Sequence, residues 1–279
     1  MNTHLAADLP DPVRAAVDDL LPIVRRLAVG EYAVSVGGSI GKGTSDARSD
    51  VDLRLFCEDR APKREFDAGW TQLMERIECW RRKEVEVDEC WVRRIGDIEQ
   101  ALKEWVAGTA EPVALVWTLW GYHLPTDIYN QYPIEDEHGV LRRLQGLLTP
   151  YPPALKKAII HKHSRSLRYW SSDYHYRNKV HRSDVVFLGS MAPRLVHDML
   201  QILYALGETY YPGDGKNLEL LPKSVDIPAG FRDRIRTALY PGSDPDALER
   251  QWKTLNPLAA DVLAIADASG LTQPQSPPQ

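Results

Sequence analysis

Cysteine is scarce in this chain, long apolar runs are missing, and positive charge is not in excess. The 279 residues include only three cysteines, Cys57, Cys79 and Cys90, none of them in a Cys-x-x-Cys pair. An odd, scattered set of thiols excludes a disulfide-stapled scaffold and points to reduced cysteines in a cytoplasmic protein. No stretch approaches the roughly 18 uninterrupted apolar residues that a membrane span requires. The opening residues, Met1-Asn-Thr-His-Leu-Ala-Ala-Asp8, carry neither the basic nor the apolar segment of a secretory signal. The expectation is therefore a cytoplasmic chain with no membrane partner. With 34 Lys and Arg against 39 Asp and Glu the formal charge is -5, which excludes a generic binder of polyanions and leaves small, cationic or locally held partners. No internal repeat is present. A hydrophobic fraction of 43% with 26% charged residues excludes a disordered or collagen-like chain. At this length one large domain or two ordinary ones can bury a core.

What is present is a change of pattern along the chain. Val13, Val17, Leu20, Leu21, Val24 and Leu27 recur at helical spacing after Asp11-Pro12, a favourable helix start. Pro22 is expected to kink this helix and Gly30 to stop it. Tyr32–Gly37 is β-rich, Val51–Phe56 alternates as a second strand, residues 64–80 are helical, and Glu84–Val92 alternates as a third strand. Beyond about residue 97 strand signals fade. Helices are expected at 97–107, 111–121, 136–147, 153–178, 184–207, 228–239 and 245–268, with Pro193 kinking or splitting the 184–207 segment. Pro150, Pro152 and Pro153 punctuate a junction. The predicted fold class is α/β plus all-α: a short mixed sheet with helices over residues 1–148, then a helical bundle over 149–269. The tail, residues 270–279, is too polar and Pro-rich to pack.

The chemistry concentrates in Val36-Gly37-Gly38-Ser39-Ile-Gly-Lys42-Gly-Thr44-Ser-Asp-Ala-Arg-Ser-Asp50-Val-Asp52-Leu-Arg-Leu-Phe56. It is no phosphate-binding P-loop, because Gly43 rather than Ser or Thr follows Lys42 and a strand rather than a helix comes next. Nor is there a dinucleotide-binding Gly-x-Gly-x-x-Gly. Asp50 and Asp52, two apart on a predicted strand, project from one face. Two carboxylates held close repel each other, and a cation between them relieves the repulsion. Mg2+ takes one or two carboxylates together with phosphate oxygens. Upstream, Gly37 and Gly38 let a phosphate approach the backbone, and Ser39 offers a hydroxyl. The bland alternative is an exposed acidic strand end beside a flexible loop; the turn, the spacing and the flanking β patterns together favour the metal–triphosphate site.

Gly38-Ser39, a spacer of ten residues, then Asp50-Val-Asp52 between apolar residues resembles the signature of the DNA polymerase beta-like nucleotidyltransferases. The order of an α/β domain and a helical domain is similar to the antibiotic nucleotidyltransferases that modify aminoglycosides or lincosamides. Tyr210-Tyr-Pro-Gly-Asp-Gly-Lys-Asn217 looks like a helical-domain loop of such enzymes. The resemblance implies that Asp50 and Asp52 hold Mg2+ and that a third carboxylate comes from a later strand. Glu84, Glu86 and Asp88 alternate onto that strand's predicted face. Val85-Glu86-Val87 resembles a Val-Glu-Val element of antibiotic adenylyltransferases, which favours Glu86 as general base, with Asp88 second and a candidate metal ligand.

Residues 156–182 hold eight Lys and Arg against one acid, Asp173. His161, Arg165, Arg168, Ser172, His175 and Lys179 recur at three- and four-residue steps along one expected helix face. They are either a cationic wall for the triphosphate or a solvated face; Arg165 and Lys179, with Lys42 and Lys216 in their Gly-flanked loops, are candidate phosphate contacts. His161 and His163, two apart on a helix, diverge and make a poor zinc pair. Trp117 and Trp120 suit a core, and Trp170 and Tyr174 suit packing rather than stacking on a ligand ring. Asp127, Glu135, Asp136 and Glu137 either help form an acidic cleft for a polycationic acceptor or decorate an exposed loop. The sequence thus predicts an enzyme that binds Mg2+ and a nucleoside triphosphate and transfers a nucleoside monophosphate, AMP from ATP in the first instance, to a hydroxyl of a small molecule. Transfer to RNA or to protein in a toxin-type system, and a non-catalytic nucleotide-sensing module, are the alternatives.

Overall fold

The computed structural model describes residues 9–115, 118–172, 174–213 and 215–272, with Thr118 and Leu119 described by backbone alone. The expectations for Trp117, Asp173, Asp214 and the tail from residue 273, and for the first eight residues, concern positions outside the described ones. In chain order the elements begin with α1 (Asp11–Arg25), β1 (Ala28–Val36), α2 (Gly38–Gly41), β2 (Leu53–Arg60), α3 (Lys63–Arg81), β3 (Trp91–Arg94) and α4 (Ile95–Val106). Next come β4 (Val113–Leu115), β5 (Thr118–Tyr122), α5 (Leu124–Tyr129), β6 (Tyr132–Glu135) and α6 (Val140–Gly146). Then follow α7 (Pro153–Trp170), α8 (Arg177–His181), α9 (Val185–Leu206), α10 (Phe231–Leu239) and α11 (Ala247–Ala268). The architecture is a mixed four-stranded sheet with helices, followed by a mainly helical C-terminal region. One compact unit comprises the described residues up to Trp105 together with His123–Pro150; the other comprises Val106–Tyr122 and the described residues from Tyr151 onward. No described helix is long and apolar enough to cross a membrane.

In the first unit the sheet order is β3-β2-β1-β6, with β1 antiparallel to β2 and β6, and β3 parallel to β2. Val34 lies opposite Leu55, Ser35 opposite Arg54 and Val36 opposite Leu53. Period two sends Val34, Val36, Leu53, Leu55 and Cys57 to one face, where they join Val17, Leu20 and Val24 of α1 and Leu73 and Ile77 of α3 in a core. The same alternation sends Ser35, Arg54 and Phe56 to the other face, where they too are buried. α1 continues through Pro22 to Arg25; the missing N–H costs one helical bond in a helix anchored by five buried residues.

The second unit is built on α9, whose residues from Leu195 to Ala205 are all buried, against α7, α10 and α11. Asp184 caps α9 by accepting the Phe187 N–H at 3.2 Å, and the helix passes Pro193 unbroken. Two expectations fail here. No helix runs through the described residues of 111–121: β4 and β5 pair antiparallel, Gly121 has φ 91°, and short apolar runs do not by themselves separate helix from strand. The helix expected over 153–178 ends at Trp170. Continued in register it would bury positions 174 and 178, but Tyr174 is 76% exposed. Tyr176 turns inward instead, donating its hydroxyl to Gln251 Oε1 at 2.8 Å and stacking on Trp252 at 4.8 Å. The basic face predicted along one helix is therefore broken between α7 and α8.

Candidate metal centre

Val51 and Val87 form a parallel bridge ahead of β2 and β3, the Val51 N–H donating to the Glu86 carbonyl at 2.9 Å and the Asp88 N–H to the Val51 carbonyl at 3.1 Å. Both valines are buried in the core beneath α1 and α3. Their flanking residues, Asp50 and Asp52 on one side and Asp88 on the other, consequently face away from that core. One ligand oxygen from each of Asp50, Asp52 and Asp88 lies within 4.8 Å of the others. Among the described residues this is the one such gathering of three or more His, Cys, Asp or Glu side chains.

The third strand does not extend over Glu84–Val92 as expected. Glu84 has φ 62° and its N–H closes the end of α3 on the Arg81 carbonyl at 3.0 Å, so it belongs to a turn. Glu86 is exposed and stands outside the cluster, while Asp88 is half-buried within it. The Asp52 carboxyl is pushed above its ordinary range, first by burial and then by the charges of Asp50 and Asp88, with Arg54 pulling the other way. Three carboxylates this close, with Arg54 against one of them, are short of positive charge.

The turn after β1 closes on the same place. The Gly37 N–H donates to the Asp52 carbonyl at 2.9 Å, and Gly38 sits at φ 56° against the Asp52 side chain. A Cβ on Gly38 would fall on Asp52 Oδ2, so only glycine fits both the left-handed backbone and the approach. Ser39 Oγ is buried and has no hydrogen-bond partner. Lys42 caps the short helix α2 in the same turn. The other candidate phosphate contacts belong to the second unit: Arg165 and Lys216 are exposed, and Lys179 lies 3.5 Å from Asp184 and 4.9 Å over the Phe187 ring. His163 Nδ1 meets Asp198 Oδ1 at 2.6 Å, and Lys162 pairs with Glu111.

Behind the carboxylates lies a polar network of which the sequence pattern had marked Asp127 alone. Arg54 donates through Nη2 to Asp52 Oδ1 at 3.2 Å. Asp127 accepts from Arg93 and from Gln131, each at 2.8 Å, and Gln131 accepts from Ser35 at 2.7 Å. Asp127 is therefore committed to its own chain, as are Glu135, which pairs with Arg25, and Asp136, which accepts the N–H groups of Leu141 and Arg142 at 3.0 Å. The signal that could have found Arg54 is a lone charge inside the apolar run Leu53-Arg-Leu-Phe56, in phase with Asp52.

A family model described as a domain of unknown function (DUF4037) matches residues 129–216. That span runs from the end of α5 through α9 and includes Gln131, but none of the three clustered aspartates. No curated protein matches the chain.

Proposed function

We propose that the protein is a Mg2+-dependent nucleotidyltransferase that transfers a nucleoside monophosphate, AMP from ATP in the first instance, to a hydroxyl of a small molecule of the aminoglycoside or lincosamide kind. The observation that carries this reading is the gathering of Asp50, Asp52 and Asp88 within 4.8 Å beside a Gly-Ser turn. The residues fit the ion and the triphosphate. Three carboxylate oxygens are the hard donors that Mg2+ takes. The unpartnered, buried Ser39 hydroxyl and the side-chain-free approach at Gly38 suit phosphate oxygens. A bound ion supplies neutralisation of the charge that develops at the phosphorus under attack. The chain's own groups hold and orient: Asp50, Asp52 and Asp88 the ion, the Gly37–Ser39 turn and Lys42 the phosphates. Glu86, exposed two residues from Asp88, is the base for the acceptor hydroxyl.

The test is incubation with Mg2+, each nucleoside triphosphate and a panel of hydroxyl acceptors, read by mass spectrometry. The expected product is the acceptor heavier by the triphosphate less pyrophosphate. Asp50→Ala and Asp52→Ala are expected to abolish transfer with an unchanged circular dichroism spectrum; near-wild-type turnover in either variant would overturn the assignment. Labelling of RNA or protein with no labelling of small molecules would move the acceptor to that class. The basic segment offers that alternative little support, because Lys156, Lys162, Arg168 and Lys179 each have an acidic partner within their own unit.

A further inference from the structure

Arg54 lies two positions after Asp52, on the same face of the sheet, and is 6% exposed. An arginine remains charged at every accessible pH, so a buried one must be met by anions and acceptors. Nη2 donates to Asp52 Oδ1 at 3.2 Å, Nη1 donates to the Leu53 carbonyl at 3.1 Å, and Nε faces Asp127 Oδ1 at 3.9 Å. The guanidinium also lies over the Trp91 ring, 4.7 Å from its centroid, with Arg93 at 4.6 Å from the same ring. Asp127 keeps Arg93 and Gln131 as partners of its own. Asp52, Arg54, Asp127 and Arg93 thus form a row of alternating charge carried by β2, α5 and β3.

We infer that Arg54 is a positioning residue of the metal centre: its planar fork fixes the Asp52 carboxylate through Oδ1 and leaves Oδ2 turned toward Gly38. One positive charge against three carboxylates also matches the centre to a single divalent cation. The inference rests on the metal centre of the function proposed above and extends it to a residue that touches neither ion nor nucleotide.

Charge and position make opposite predictions, which gives the test its power. Removing a positive charge would by itself tighten a cation site, whereas releasing Asp52 would loosen it. The full-length wild type, Arg54→Met and Arg54→Lys are titrated with Mn2+, free ion being read by electron paramagnetic resonance. Each protein is also melted with and without Mn2+. Both variants are expected to lose about 10-fold or more in Mn2+ affinity, the range found when outer partners of metal ligands are removed. Lysine should do no better than methionine, since a point charge cannot hold Asp52 and the Leu53 carbonyl together. The rise in melting temperature on adding Mn2+ should shrink in step. Unchanged or tighter binding by Arg54→Met, or full affinity in Arg54→Lys, would overturn the inference. Should Arg54→Met not fold, Asp127→Asn loosens Arg54 without touching Asp52; a several-fold loss of affinity supports the inference and an unchanged affinity overturns it. Wild type that binds Mn2+ but transfers no nucleotide would end the proposed function and leave Arg54 in its role. Wild type that binds no Mn2+ would end both.

Discussion

In the sheet unit Asp52, Arg54, Asp127 and Arg93, of which Arg54 is buried and the others half-buried, form a row of alternating charge, whereas in the helical unit four cations are more open and each meets a separate acid: Lys156 with Glu208, Lys162 with Glu111, Arg168 with Asp267, and Lys179 with Asp184. Exposed pairs contribute about 0–1 kcal/mol, because water screens them and long side chains lose freedom in making them. Buried charges differ in kind. Desolvation makes each one costly unless its partner stands in one particular position, so the row fixes geometry more than it adds stability. Of the more conspicuous charge feature of the sequence, the basic stretch, four of eight cations pair with acids of their own unit. The quieter one, a single arginine inside a strand, sits against the carboxylates.

The comparison can be broken most severely at Asp127. Asp127→Ala removes the anion between Arg54 and Arg93 and is expected to cost about 3–5 kcal/mol in urea unfolding. A loss under 1 kcal/mol would mean that the row is no more demanding than the surface pairs. Next comes Gly38→Ala, whose methyl would displace the Asp52 carboxylate. On the proposed function, nucleotide transfer should fall on the order of 100-fold, the cost of misplacing a reacting group by about an ångström. Gly43→Ala is the control: it shares a left-handed backbone, φ 66°, but has nothing within 4 Å, so only backbone strain of about 1–2 kcal/mol applies. Equal losses of transfer in the two variants would remove the argument from Asp52. On the helical side, Lys162→Ala should change stability by no more than about 1 kcal/mol, and by less in high salt; a larger, salt-independent loss would erase the contrast.

The smallest effect concerns Asp52 and pH. Its carboxyl is raised, by burial first and by Asp50 and Asp88, against the opposing pull of Arg54. A raised folded value means that the folded chain holds the proton longer than the unfolded one. The associated stability is complete below the unfolded value and is lost as pH rises through the folded value. At neutral pH the ionised Asp52 therefore detracts from metal-free stability. Asp52→Asn should melt slightly higher than wild type without metal at pH 7, lose that advantage below the ordinary carboxylate range, and show no Mn2+-induced shift. A lower metal-free melting temperature at pH 7 would show that Arg54 outweighs burial.

Much of the fold was legible because burial imposes periods. The 3.6-residue repeat identified α1, α3, α9, α10 and α11, and period two identified the strand at 53–56. The pairing of Asp50 with Asp52 was legible for the same reason, since the alternation leaves only one face for both carboxylates. The strands β4, β5 and β6 were missed because short segments present too few residues for either period to declare itself. The inward turn at Tyr176 was missed because its cause, Gln251 and Trp252, lies some 75 residues away.

The sequence by itself determined that two aspartates would share a face beside a glycine turn, that an α/β part would precede a helical one, and that three carboxylates would alternate near residues 84–88. Only the tertiary structure decided which of those three joins the pair. Val51 bridges Val87 in parallel and buries it, which turns Asp88 toward Asp50 and Asp52, while the left-handed turn at Glu84 removes that residue from the strand. The tertiary structure alone also set Arg54 between Asp52 and Asp127. Local periodicity fixes the face a side chain takes; the partner it meets there depends on strand register and on chain brought from far along the sequence.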